Sequence, residues 1–363
     1  MADRRPARLQ RLADALTAAH LDGLLLTSLP NIRYLTGFSG SSALLFVTSR
    51  SEALLITDFR YQTQVATEVG DFARVIVEPS SLWTGLWQQL GAYAHVKVAG
   101  FESSHLLHRD FQRLLEAGAR YQWRPTLELV ETLRERKDAD EVACIVEAAA
   151  IATNALGRTL EQVKAGMTEL AVAGLLERTL RDGGSEAFPF ETIVASGPRA
   201  ALPHARASGR AIERGDILLI DFGAQYGGYC ADVTRTVVVG RADDEQKEVY
   251  DVVRRANEAA VAGVRAGMRG RDADALARDY IEARGLGEFF GHSLGHGLGL
   301  EVHESPRLAK TADAPLPMGA VVTVEPGVYR AGWGGVRVED DVHLGADGAT
   351  LLTHFTHDLL ELA

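Results

Sequence analysis

Five residues in the C-terminal third of this 363-residue chain, Asp221, Asp232, His296, Glu325 and Glu339, form an ordered set of possible metal ligands. Four are carboxylates, and each sits in a short strand-like or Gly-rich segment. A hard, oxygen-rich set with a single imidazole suits two divalent ions such as Mn²⁺ better than a thiolate-rich structural zinc site. Two such ions point to hydrolysis.

The surroundings of these acids set them apart from surface charges. In GDILLIDFGAQYGGYCADVTRTVVVG, Asp221 ends an apolar run that reads as a buried strand, and Asp232 opens the return strand after a Gly-rich turn. A lone Asp beside Gly is ordinarily a hairpin residue, but a carboxylate closing a buried run is costly unless a cation compensates it. In AVVTVEPGVYRAGWGGVRVEDDVHL, Glu325 follows Val321, Val322, Thr323 and Val324, while Glu339 follows Val336 and Val338. Acids are depleted in such strand-forming company. The two-residue strand period places Arg337 beside Glu339, where it can fix a ligand carboxylate or form an ordinary cross-strand ion pair. GHSLGHGLGLEVHESPRL gathers His292, His296 and His303 among glycines, which permit close approach of backbone and side chains to a small ligand. Spacing leaves open which imidazole binds metal and which handles protons.

These segments need a scaffold, and the chain divides near residue 135 to supply one. Leu9, Leu12, Leu16 and Ala19 recur at helical steps, and the apolar runs at 24–28, 43–49 and 52–58 read as strands. Helical patterns at 83–93 and 104–117 flank the strand-like HVKVAGF, so residues 1–135 read as an α/β domain. Lys137-Asp138 marks the joint. From there to residue 363, helices are expected at about 138–164, 168–182, 243–266 and 271–284, with strands near 190–197, 216–226 and 229–239. Helices followed by strands suggest an α+β domain with an antiparallel sheet over 136–363.

Composition narrows the function classes. The 46% hydrophobic and 24% charged fractions are ordinary for a soluble enzyme, and no stretch approaches a membrane span. A formal net charge of −11 without a basic stripe disfavours nucleic acid as partner. The start, MADRRPARLQRLADAL, has no apolar core before a cleavage site, so the expected location is cytoplasmic. Cys144 and Cys230 read as free thiols on either side of the second body.

The segments DFGAQYGGYCADVTRT, GHSLGHGLGLEVHE, EPGVY and GVRVED occur here in the order found in the pita-bread metallopeptidases, which the second body resembles. That family includes methionine aminopeptidase, aminopeptidase P and prolidase. SLPNIRYLTGFSGSSALLFVTS and LLITDFRY resemble the creatinase-like amino domain of its proline-specific branch. The resemblance implies that Asp221 binds one ion, that Asp232 and Glu339 bridge two, and that His296 and Glu325 complete the second. It also implies that Glu325 shuttles the nucleophile's proton, His303 contacts the substrate carbonyl, and His204 lies near the leaving proline nitrogen. His292 would line the proline pocket, with Arg337 behind the ligands. Mn²⁺ is the expected metal, though Co²⁺, Zn²⁺ and Fe²⁺ suit the same donors.

The activity so implied is hydrolysis of the bond between an N-terminal residue and a following proline. Aminopeptidase P is favoured because NIRYLTGFSGSS and TDFRY look like its small bacterial members; the alternative is prolidase, an Xaa-Pro dipeptidase. Arg307 in HESPR stands where some prolidases carry an arginine, as some aminopeptidases P also do. A homodimer is expected from the family. Asn31, Arg33, Tyr34, Arg60 and Tyr61 are candidates for substrate-end, interface or plain packing contacts. A catalytically silent relative, or a creatinase, would lack this ligand set.

Overall fold

Apolar runs of four to six residues cannot stand alone in water, and in the first unit they become the buried centre of a sheet. The computed structural model describes residues 3–363. It divides into two compact units, one ending at Arg134 and one spanning Glu135–Ala363.

In the first unit the helices are α1 (Arg5–Ala18), α2 (Leu29–Thr36), α3 (Gln62–Glu68), α4 (Leu82–Leu90), α5 (His108–Ala117) and α6 (Leu129–Arg134). The strands are β1 (Gly23–Leu26), β2 (Ala43–Thr48), β3 (Ala53–Asp58), β4 (Arg74–Glu78), β5 (Val98–Glu102) and β6 (Gln122–Thr126), in the order β4-β3-β2-β1-β5-β6. β1 to β3 form an antiparallel meander, whereas β4, β5 and β6 pair in parallel. Parallel neighbours need crossover connections, which α3 and α5 supply for β3–β4 and β5–β6. Two of the residues singled out in this unit are internal. Asn31 is fully buried and bonds Glu102, Glu131 and Arg134, and Tyr34 is clasped between Arg11 and the Leu133 carbonyl.

The second unit opens with α7 (Ala139–Leu160), capped by Asp138, whose carboxylate accepts from the Asp140 and Glu141 amides while Glu141 accepts from the Asp138 amide. Such reciprocal capping satisfies amides that the first turn leaves unpaired. α8 (Glu169–Asp182), β7 (Ile193–Ser196), β8 (Ile217–Tyr226) and β9 (Tyr229–Val239) follow. Then come α9 (Asp244–Gly263), α10 (Gly270–Glu282), β10 (Gly295–Gly297), β11 (Glu304–Leu308), β12 (Val321–Val324) and β13 (Gly327–Arg330). The chain ends with β14 (Gly334–Arg337), β15 (Asp340–Gly345), β16 (Gly348–Leu351) and β17 (Glu361–Leu362). One sheet has the order β17-β9-β8-β7, another β11-β10-β12-β15-β16, and β13-β14 is a separate ribbon. The pairings in this unit are antiparallel, as expected, with the one exception of the short β17 beside β9, which runs parallel. Two residues are too few to carry a pattern in sequence.

The β8–β9 hairpin fixes the register of the first two acids. Gly227 and Gly228 both have positive φ (58° and 84°), as the tight turn matching strand twist requires, and they set Tyr226 opposite Tyr229. That register pairs Asp221 with Thr234 and Gly223 with Asp232, so both acids share one face. Leu218, Ile220, Phe222 and Ala224 point the other way, into a core with Ala152, Leu156 and Leu176 from the helices. Cys144 and Cys230 are not joined in a disulfide, yet they lie in a single apolar cluster rather than apart. Among the described residues no helix is long and apolar enough to cross a membrane.

Candidate active site

The five proposed ligands arrive from four pieces of backbone. Asp221 and Asp232 lie within β8 and β9, His296 is the centre of β10, and Glu325 follows β12. Glu339 lies in a two-residue break between β14 and β15, correcting the expectation that it shares a continuous strand with Arg337. Here the backbone leaves its own ribbon: the Glu339 amide donates to the Thr234 carbonyl on β9, 3.1 Å away. The break turns Glu339 toward the aspartates.

β10 can pass between β11 and β12 only because its flanking residues are glycines. A Cβ on Gly295 would lie 2.0 Å from the Thr323 carbonyl oxygen, and one on Gly297 would lie 2.1 Å from that of Ser305. His296 between them has its Nδ1 3.0 Å from the Gly297 carbonyl oxygen. An N–H donated there leaves the Nε2 lone pair free to bind a metal, and Nε2 stands 3.4 Å from Glu325 and 3.8 Å from Asp232. Burial pushes the imidazole down to about 4, so it is neutral at pH 7.

Asp232, His296 and Glu339 each offer an atom within 4.8 Å of the others. Asp221 receives Arg337, whose Nε also donates to Thr234 at 3.0 Å; Thr234 in turn donates to Glu339 at 2.5 Å. Arg337 therefore holds Asp221 directly and Glu339 through a hydroxyl. Burial, then the charges of Glu339, Asp221, Asp341 and Glu325, push Asp232 well above the usual carboxylate range. Glu339 is raised likewise by burial, Glu325 and Asp221. Burial lifts Asp221 against the pull of Arg337, and burial pushes Glu325 up to about 8. Asp221 and Asp232 each keep one buried oxygen without a hydrogen-bond partner. Buried acids opposed in this way, with unspent oxygen lone pairs and a neutral imidazole, fit hard divalent cations.

The remaining imidazoles gather around the acids. His303 is exposed, with its ring centroid 4.3 Å from that of His296. His204 occupies the exposed loop between β7 and β8, close enough for its charge to act on Asp221, His292 and His303. His292, pushed down to about 4 by burial and then by Arg337, lies 3.0 Å from the Tyr329 hydroxyl, which accepts from Arg337 at 2.7 Å. Tyr329 was not foreseen. It links His292 to the arginine behind Asp221, and its only signal in sequence is its place four residues after Glu325 in EPGVY.

Residues 143–346, which include every residue of this cluster, match the model of metallopeptidase family M24, and residues 8–136 match that of the creatinase/prolidase N-terminal domain. The chain belongs to metallopeptidase family M24. Its two units are a creatinase-type amino domain and a pita-bread catalytic domain. This M24 peptidase is 33% identical to the Xaa-Pro dipeptidase of Pyrococcus horikoshii over 97% of its own length and 98% of that protein. The Xaa-Pro dipeptidase of Bacillus anthracis superposes with a TM-score of 0.95 at 40% identity, covering 99% of this chain and 100% of that one. An X-Pro aminopeptidase from Thermotoga maritima superposes at 0.90 with 38% identity, covering 98% and 99%.

Proposed function

We propose that this M24 peptidase is an Xaa-Pro dipeptidase, hydrolysing the bond between an N-terminal residue and a C-terminal proline. The observation that carries this reading is Arg307. It lies directly across the β10–β11 pair from His296, is exposed, and is close enough to lower both His296 and His303. Directly opposed residues of an antiparallel pair share a face, so the guanidinium stands on the side from which His296 meets the acids. A guanidinium there can grip the carboxylate of a terminal proline, and a longer peptide would leave it unpaired. The two dipeptidase relatives support the same choice over the aminopeptidase expected from the amino-domain motifs. Aminopeptidase action remains the second reading, favoured by the Thermotoga relative.

Asp221, Asp232, His296, Glu325 and Glu339 would hold two divalent ions, for which we propose Mn²⁺. When bound, such ions lower the pKa of water and polarise the scissile carbonyl. Glu325 takes the proton of the attacking water and passes it on. His303, exposed beside His296, donates to the carbonyl oxygen as negative charge develops there. The scissile nitrogen is a tertiary amide without an N–H and must gain a proton to leave, which His204 delivers. His292, fixed by Tyr329, forms the wall of the proline pocket. A homodimer completes the reading by family resemblance.

Arg307→Met tests the distinguishing residue. Loss of a charge-assisted bond worth ~1.5–3 kcal/mol should raise KM for Ala-Pro about 10- to 100-fold and erode selectivity against Ala-Pro-Ala, with kcat little changed. Steady-state kinetics with unaltered KM and length selectivity would remove Arg307 from the argument.

A further inference from the structure

The segment between β7 and β8 that carries His204 has little regular structure, apart from a short 3₁₀ turn at Gly197–Ala201. It is nevertheless tied down at both ends by one side chain. Glu169, the first residue of α8, is fully buried, which carboxylates seldom are unless paired. One of its oxygens accepts from the Ser196 amide and hydroxyl, both at 2.8 Å. The other accepts from the Ser208 amide at 3.0 Å and its hydroxyl at 2.6 Å. Arg199 bridges both oxygens through Nε at 3.2 and 3.0 Å, and its NH2 reaches the Arg206 carbonyl at 2.6 Å. Every one of these donors to Glu169 lies between Ser196 and Ser208. At the tip, the carbonyl of Pro203, the residue before His204, accepts from Arg337 at 3.4 Å.

We propose that Glu169 is a positioning residue for the leaving-group proton: it closes the Ser196–Ser208 loop on itself and so aims His204 at the proline nitrogen. This rests on the role given to His204 above. Burial raises the Glu169 carboxyl, but the Ser208, Ser196 and Arg199 hydrogen bonds outweigh it and hold the group below its usual value, so the staple is closed at neutral pH. Without this carboxylate the ends keep the β7–β8 pairing of Ser196 and the Ser208 carbonyl's bond from the Leu170 amide, but the span between them loses the geometry on which proton transfer depends. Misplacement by about 1 Å costs on the order of 100-fold in rate.

The test is a double-mutant cycle on Mn²⁺-loaded enzyme with Ala-Pro. Glu169→Ala should lower kcat about 10- to 100-fold with KM within about threefold, and should add less than about twofold in a His204→Ala background. Glu169→Gln, which still accepts hydrogen bonds, should recover part of the loss. Trypsin should nick the loop at Arg199 or Arg206 faster in Glu169→Ala than in wild type. Ser208→Ala, which removes one hydroxyl donor, is read in the same way if Glu169→Ala does not fold. Equal losses in both backgrounds would overturn the proposal. If His204→Ala alone leaves kcat unchanged, the role of His204 fails first, and the trypsin rate still shows whether Glu169 closes the loop.

Discussion

At the scale of residues, the site is defined by charge opposed to charge. Asp232 and Glu339 are buried among other acids and raised for that reason, and a cation relieves what burial imposes. The sign of the resulting pH dependence follows from Glu325. Its carboxyl goes from an ordinary 4.5 to about 8 in the folded metal-free chain, so between those values the folded state holds more protons than the unfolded state, and stability falls as pH rises. His292 and His296, pushed down to about 4, act in the opposite sense, but only up to their ordinary 6.5. The window from 6.5 to 8 therefore reads the acids. Thermal melts of chelator-treated protein should show Tm falling across it, with the slope removed by Mn²⁺; a metal-free Tm that climbs there would contradict the picture. The acids and Arg337 were legible in sequence because charge is out of place in β-branched runs. Tyr329 was not, since tyrosine is at home in strands, and Glu169 was hidden because an acid in the first turn of a helix is ordinary.

At the scale of elements, positions are set by glycine and by breaks in pairing. The hairpin turn at Gly227-Gly228 places Asp221 and Asp232 on one face, and the gap after β14 sends Glu339 to Thr234. Gly297→Ala tests the close passage of β10, because the added methyl meets the Ser305 carbonyl at 2.1 Å. Overpacking of this kind costs about 1–3 kcal/mol, and the strand that shifts carries His296. Denaturant unfolding and Mn²⁺ titration calorimetry should both report loss; unchanged stability and affinity would mean that β10 yields without consequence. In the first unit the central strands β1, β2 and β3 were readable as apolar runs. The edge strands β4 and β6 escaped, β6 because its QWRPT is largely exposed and contains a proline tolerated only at an edge. α2 escaped too, since its eight residues are too short for a helical period to stand out.

At the scale of the whole molecule, the family, both unit types and the hydrolytic chemistry were visible from residue order, while substrate length was not. In the proposed reading length selectivity would depend on where the Arg307 guanidinium stands relative to His296, a placement that follows from the cross-strand register of β10 and β11 rather than from any local motif. On the proposed dipeptidase reading, peptides ending at proline would be the substrates. The most direct measurement compares kcat/KM of the Mn²⁺-loaded protein for Ala-Pro and Ala-Pro-Ala, with chelator-treated enzyme as control. The account predicts at least about 100-fold preference for the dipeptide, the equivalent of ~3 kcal/mol for a charged partner left unpaired. Cleavage of the tripeptide with equal or greater efficiency would contradict it.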